Sequence, residues 1–220
     1  MRSVLDKPRI SLYTMYRYAR HVAYCFLGKK ESQMRGIDHR LLGNYLLEHE
    51  EMHPNALCRR MFLFGCIEPD INPFTYTRGS MHYRFLHGHN ALNARRHLYK
   101  VIRRLQRKGV ATPMQWFALG AVIHYTADSF TYVHNDLYDG DIHGHRVYEH
   151  TLHPLFVAYV DTYDSTAPIP EEAWDLEAYH DRYIAGEHSF MTDCRYILSA
   201  TRMICHSVPE LVTCPAKVVC

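Results

Sequence analysis

The chain of 220 residues is expected to fold as an all-α, single-domain multi-helix bundle spanning residues 1–220, with a metal cluster held between helices. Three observations lead there. Apolar residues recur at spacings of three and four along several segments, as one buried helical face demands. No segment alternates apolar and polar residues as a half-buried strand would, and there is neither a repeat nor a low-complexity tract. Finally, two histidine–carboxylate pairs, His124 with Asp128 and His145 with Glu149, each sit four residues apart. On a helix that spacing sets both side chains on one face, about 6 Å apart along the axis.

The elements follow in order. Ser11 to Leu27, rich in Tyr, Leu, Val and Ala and followed by Gly28, predicts a first helix. Asp38 is a good N-cap for a second, which runs through Leu41, Leu42, Tyr45 and Leu46. Ala56 to Phe64 predicts a third, stopped by Gly65 ahead of Glu68-Pro69-Asp70-Ile71-Asn72-Pro73, whose two prolines imply a rigid loop. Asn90 to Lys108 is basic and amphipathic, with Leu98, Val101, Ile102 and Leu105 apolar and Gly109 as its stop. Its arginines and lysines read first as a solvated face and second as a nucleic-acid contact.

Pro113 suits the first turn of the next helix, which is mostly apolar through Trp116, Leu119, Val122 and Ile123 and ends in His124 and Asp128. Such a helix belongs at the centre of the bundle. The β-branched and aromatic run after Asp128, with turn formers at Asn135 and Asp136, predicts that the helix unwinds before His134. A helix from about His145 to Asp161 follows, then the Pro168-Ile169-Pro170 break, then one or two helices between 170 and 209.

Composition narrows the function. Lys and Arg total 25 against 23 Asp and Glu, too even a balance for broad electrostatic binding of nucleic acid or an anionic membrane. No apolar run approaches the ~18 residues that span a bilayer. Seven cysteines without close pairing, and no leader-like start, point to a reducing cytoplasm, with the thiols serving mostly as small buried apolar groups. The excess lies in histidine, at 17, the commonest metal ligand.

His124, Asp128, His134, His145 and Glu149 place five candidate ligands within 26 residues. All are nitrogen or oxygen donors, as in hydrolytic rather than structural zinc sites. A single catalytic zinc takes three protein ligands, so five imply at least two ions, an arrangement suited to phosphodiester hydrolysis. Either pair alone would be an ordinary helix-surface contact; two pairs with a histidine between them, led in by an apolar helix, favour metal.

These residues resemble the zinc-dependent phospholipase C family, which is related to the single-strand zinc nucleases. The family signature is similar to His-x-x-x-Asp, a His six residues on, then His-x-x-x-Glu, and this chain carries it at His124, Asp128, His134, His145 and Glu149. An upstream Gly-x-x-x-x-Asp element matches Gly65 to Asp70. The resemblance implies two or three Zn2+ ions: Asp70, His89, His124 and Asp128 on one, His134, His145 and Glu149 on a second, and His39 with Asp128 on a weaker third. His82 is the alternative to His89, and His21 to His39. The family's secreted members complete the third site with a terminal Trp, where this chain begins Met-Arg.

Asp70 is expected to orient or deprotonate the attacking water, so it is the catalytic candidate. The implied substrate is a phosphodiester, foremost a phospholipid head group. A single-strand nuclease or other phosphodiesterase is the alternative on the same fold, and a non-catalytic metal-binding protein the alternative outside enzymes. His180-Asp181 offers a weaker HD-type phosphohydrolase reading. His97, His143, His150, His153, His188 and His206 are expected at the surface or behind the ligands, with His150 and His153 the candidates to support them.

Overall fold

The computed structural model describes residues 36–71 and 91–208. They form seven α-helices: α1 (Ile37–His49), α2 (Ala56–Ile71), α3 (Ala91–Lys108), α4 (Pro113–Ser129), α5 (Ile142–Thr162), α6 (Leu176–Ala185) and α7 (Phe190–Ser207), with 3-10 turns at Tyr132–His134 and Glu171–Trp174. No strand occurs among the described residues, so the fold is all-α as expected. The helix expected over 11–27, and His21, His82 and His89, lie outside the described residues.

Each start has a local cause. Thr112 and Gln115 build a capping box at α4, the Thr112 hydroxyl accepting from Gln115 N–H and the Gln115 side chain accepting from Thr112 N–H, with Pro113 in the first turn. Asp141 caps α5, accepting from Gly144 N–H at 2.8 Å, so that helix begins three residues earlier than expected. Asp175 and Ser189 cap α6 and α7 in the same manner. Gly109, at φ 68°, ends α3 in the left-handed conformation that favours glycine.

Two expectations need correction. Asp38 is not an N-cap: α1 begins after Gly36, and Asp38 sits in its first turn with the side chain turned toward α5. Gly65 does not stop α2, which continues through Pro69 to Ile71 and carries Asp70 on a helix rather than a loop. Gly65 is there because α4 passes over it. A Cβ at Gly65 would lie 2.2 Å from the Phe117 carbonyl oxygen, and one at Gly120 would lie 2.1 Å from that of Phe62. The two helices therefore touch backbone to backbone.

Contacts along this crossing rise in number together. Phe62 meets Trp116 edge-on, Gly65 meets Phe117 and Ala121, and Asp70 faces His124. So α2 and α4 run in the same sense and bring their C-terminal ends to one place. Around this pair, α1 packs on α2, α3 covers α4 through Leu98, Ile102 and Leu105, and α7 closes the bundle against α4 and α5. Leu46, Phe62, Leu119, Ile123 and Leu198 are wholly buried, each contributing about 1.5–3 kcal/mol of transfer free energy. Trp116, also fully enclosed, makes α4 the central helix.

The basic face of α3 points to solvent at Lys100, Arg103, Arg104, Arg107 and Lys108. Cys66, Cys194 and Cys205 are buried free thiols, as expected, whereas Cys58 is disulfide-bonded. A second polar junction holds the C-terminal half. Glu50, at the end of α1, is buried and receives Arg202 Nε at 2.5 Å and His206 at 2.7 Å. Arg202 also donates to the carbonyls of Ser165 and Ala167, tying down the proline-broken connection after α5. No helix among the described residues is long and apolar enough to cross a membrane.

Candidate metal centre

The joined C-terminal ends of α2 and α4 set the first part of the site. His124 is completely buried, and its Nδ1–H donates to the Cys66 carbonyl at 2.8 Å. A carbonyl can only accept, so this bond selects the tautomer and leaves Nε2 to face the site. Nε2 lies 3.2 Å from Asp128 Oδ2 and 3.7 Å from Asp70 Oδ1. Nε2 thus faces two carboxylate oxygens, a nitrogen and oxygen donor set of the kind that suits a divalent cation. His39 arrives from α1, its ring 3.9 Å from that of His124 and its Nε2 3.2 Å from Asp128 Oδ1.

The second part depends on the break after α4. Ser129 ends the helix, and the Asn135 side chain donates to the Ser129 and Thr131 carbonyls, which the lost helical turn leaves open. The following 3-10 turn delivers His134 back to the site instead of far along the helix axis. Its Nε2 stands 3.4 Å from Glu149 Oε1 and 3.8 Å from Asp128 Oδ1. His145 and Glu149, one turn apart on α5, meet at 2.9 Å.

Ligand atoms of His39, Asp70 and His124 all lie within 4.8 Å of one another, as do those of His134, His145 and Glu149. Either group could hold an ion, and Asp128 stands between them, one oxygen facing His124 and the other facing His39 and His134. Seven of the eight sequence-chosen residues therefore converge. The eighth, His89, lies outside the described residues. His39 meets Asp128, as the pairing expected of them requires, and its ligand atom also falls in one group with those of Asp70 and His124.

The site's electrostatics have the same character. Burial raises the Asp70 carboxyl to about 7, with His124 opposing and Asp128 reinforcing the shift. Burial also works against ionisation of Asp128, but the facing imidazoles of His134, His124 and His39 hold it well below the ordinary carboxylate range. Glu149 is brought down to about 2 because hydrogen bonds from His134 and His145 outweigh its burial. Burial opposes charge on His134, yet Asp128 and Glu149 carry it up to about 9. A proton on His134 thus fills, in the metal-free protein, a place suited to a cation.

One support escaped the sequence. Asp193, wholly buried at the start of α7, accepts from the hydroxyls of Tyr148 and Tyr183 at 2.7 Å each and from Tyr132 N–H at 3.2 Å. It thereby holds the turn bearing His134 and the helix bearing Glu149 to one anchor. No local pattern marks Asp193 for this role. His153, expected at the surface or behind the ligands, is partly buried and bonds through Nδ1 to Asp38 Oδ1 at 2.5 Å. His180 bonds to the Asn135 side chain and Asp181 is exposed, so His180 serves the turn, and among the described residues the dipeptide joins no group of potential metal ligands.

A model of the zinc-dependent phospholipase C family matches residues 38–200. The chain belongs to that family. The match takes in every described candidate ligand, from His39 to Glu149, and explains a set made only of imidazole and carboxylate donors. Neither a curated protein nor a solved structure matches the chain. Zinc dependence is thus a family property, and the residues converging here are chemically suited to it.

Proposed function

We propose that this protein is a zinc-dependent phosphodiester hydrolase of the phospholipase C type, acting on the head-group ester of a phospholipid. The observation that carries the proposal is Asp128, set between two groups of imidazole and carboxylate donors. Asp70, His124 and Asp128 would hold one zinc, and His134, His145 and Glu149 a second, with His39 and Asp128 available to a third. Bound zinc supplies Lewis acidity toward phosphoryl oxygens and lowers the pKa of water.

The chain's own residues supply the rest. Asp70 orients the attacking water and accepts its proton. The Cys66 carbonyl fixes the His124 tautomer. Leu152, Phe156 and Ile197 form an apolar wall that keeps bulk water from the reacting centre. The test pairs metal analysis with a phosphodiester panel, for the parent chain and Asp128→Ala. Zinc-dependent release of phosphorylated head group, lost in Asp128→Ala along with bound zinc, is the expected result. Full zinc content and activity in that variant would refute the assignment.

The exposed basic face of α3 favours a nuclease as second reading. Cleavage of single-stranded nucleic acid without cleavage of phospholipid would decide for it. Stoichiometric zinc with no hydrolysis across the panel would instead mark a non-catalytic metal-binding protein.

A further inference from the structure

The even charge total of the chain conceals one lopsided helix. Along α3, from Ala91 to Lys108, there is no Asp or Glu. From Lys100 onward its exposed side chains are all cations: Lys100, Arg103, Arg104, Arg107 and Lys108. At about 100° per residue these fall in one arc, opposite the arc of Leu98, Ile102 and Leu105 that packs into the core.

Arg95, toward the other end of the helix, pairs with Glu177 of α6. The cations from Lys100 to Lys108 have no such partner among the described residues. Lys100 with Arg104, Arg103 with Arg107 and Arg104 with Lys108 are like charges four residues apart, an arrangement that destabilises a helix. The fold gains nothing from it. The backbone rises about 12 Å over this stretch, close to the screening length of about 10 Å at 0.1 M salt, so these charges act together on whatever approaches.

We propose that this face of α3 docks the protein electrostatically on an anionic lipid surface. Each Lys or Arg held against such a surface strengthens binding by about fivefold. Because the apolar face of α3 already packs on the core, this helix inserts nothing between acyl chains, and the attachment is one of charge alone. Nucleic acid is the other polyanion the face could meet. Single-strand binders set exposed aromatic rings among their cations for bases to stack on, whereas the exposed side chains from Lys100 to Lys108 include no ring. Tyr99 lines a cleft with Leu98, Ser129 and Phe130 instead. The choice of lipid rests on the phospholipid reading above, since docking holds the protein where that substrate is concentrated.

The test is flotation of the zinc-loaded full chain with vesicles of phosphatidylcholine alone and of phosphatidylcholine with phosphatidylserine, at about 0.1 M and about 1 M salt, between which the screening length falls from about 10 to about 3 Å. The parent should float with the phosphatidylserine vesicles at low salt only and stay off the neutral ones. Lys100→Gln, Arg104→Gln and Arg107→Gln combined should weaken that binding by about 100-fold. Arg103→Lys, Arg104→Lys and Arg107→Lys combined should keep it, since a surface field reads charge and not the guanidinium fork. Head-group release from a soluble short-chain phosphodiester should be the same in all three proteins.

Equal binding to both kinds of vesicle, binding that survives high salt, or no binding to either overturns the proposal. So does parental affinity in the glutamine variant or lost affinity in the lysine variant. Capture of a single-stranded oligonucleotide without capture of phosphatidylserine vesicles also overturns it and gives the face to the nuclease reading. If the parent docks on anionic vesicles while no phosphodiester is hydrolysed, the hydrolase reading fails and the docking surface stands. Hydrolysis of the soluble ester without docking is the converse, and removes the docking surface alone.

Discussion

Replacing Gly120 by alanine tests whether the backbone crossing of α2 and α4 sets the metal site. The new Cβ would fall 2.1 Å from the Phe62 carbonyl oxygen, 2.9 Å from Cys66 N and 3.0 Å from the Gly65 carbonyl carbon. All three are main-chain atoms, so no rotamer change relieves them. Reaching ordinary contact at 3.4 Å requires the helices to part by about 1.3 Å. Overpacking of this kind destabilises by about 1–3 kcal/mol, which for a chain of this size lowers Tm by about 2–12 °C. The larger effect is on function. Asp70 belongs to α2 and His124 to α4, and metal–ligand distances tolerate only about 0.2 Å. Zinc bound between them should therefore weaken sharply, and a misplacement of this size lowers turnover by about 100-fold. Thermal melting, zinc content after dialysis and phosphodiester hydrolysis read out the three effects. Gly43→Ala, whose Cβ would meet the movable Cys66 side chain at 3.0 Å, should be milder. A Gly120→Ala protein with parental Tm and zinc content would refute the reasoning.

Zinc affinity should rise with pH, because metal must displace protons from Asp70, at about 7, and from His134, at about 9. Both groups are raised above their ordinary values, so the folded metal-free protein binds more protons than the unfolded chain does. Its stability from His134 is complete below 6.5 and is lost as pH rises through about 9, so the Tm gain on adding zinc should widen over that interval; a constant gain would contradict this. Asp193→Asn should loosen the turn bearing His134, weakening the zinc held by His134, His145 and Glu149 more than the other, whereas equal loss at both sites would make Asp193 only a fold anchor. Glu50→Ala strands the buried Arg202 guanidinium and should destabilise the protein by about 3–5 kcal/mol in denaturant titration, and a change under 1 kcal/mol would refute the view of that junction as a closed charge pair.

Local signals were legible in the sequence and distant ones were not. The pairs His124–Asp128 and His145–Glu149 are legible because a turn of helix is enough to bring each together. The unwinding before His134 is legible in the turn formers that follow it. Gly65 shows the limit: a glycine after an apolar run reads as a helix stop, and nothing nearby tells that Phe117 will pass within contact distance. Asp38 likewise carries the local mark of an N-cap, while its carboxylate goes to His153, 115 positions away. The sharing of Asp128 by both donor groups, and the anchoring of one group by Asp193, exist only once α1, α5 and α7 have packed.

The two halves of the site are built from different materials. Between α2 and α4, main chain rests on main chain, so the spacing of Asp70 and His124 is indifferent to the identity of surrounding side chains as long as two glycines remain. The His134 turn hangs instead from the side chains of Asn135 and Asp193. Sequence drift can therefore retune the reach of the second half, and with it the choice of ester, while the first half stays constant.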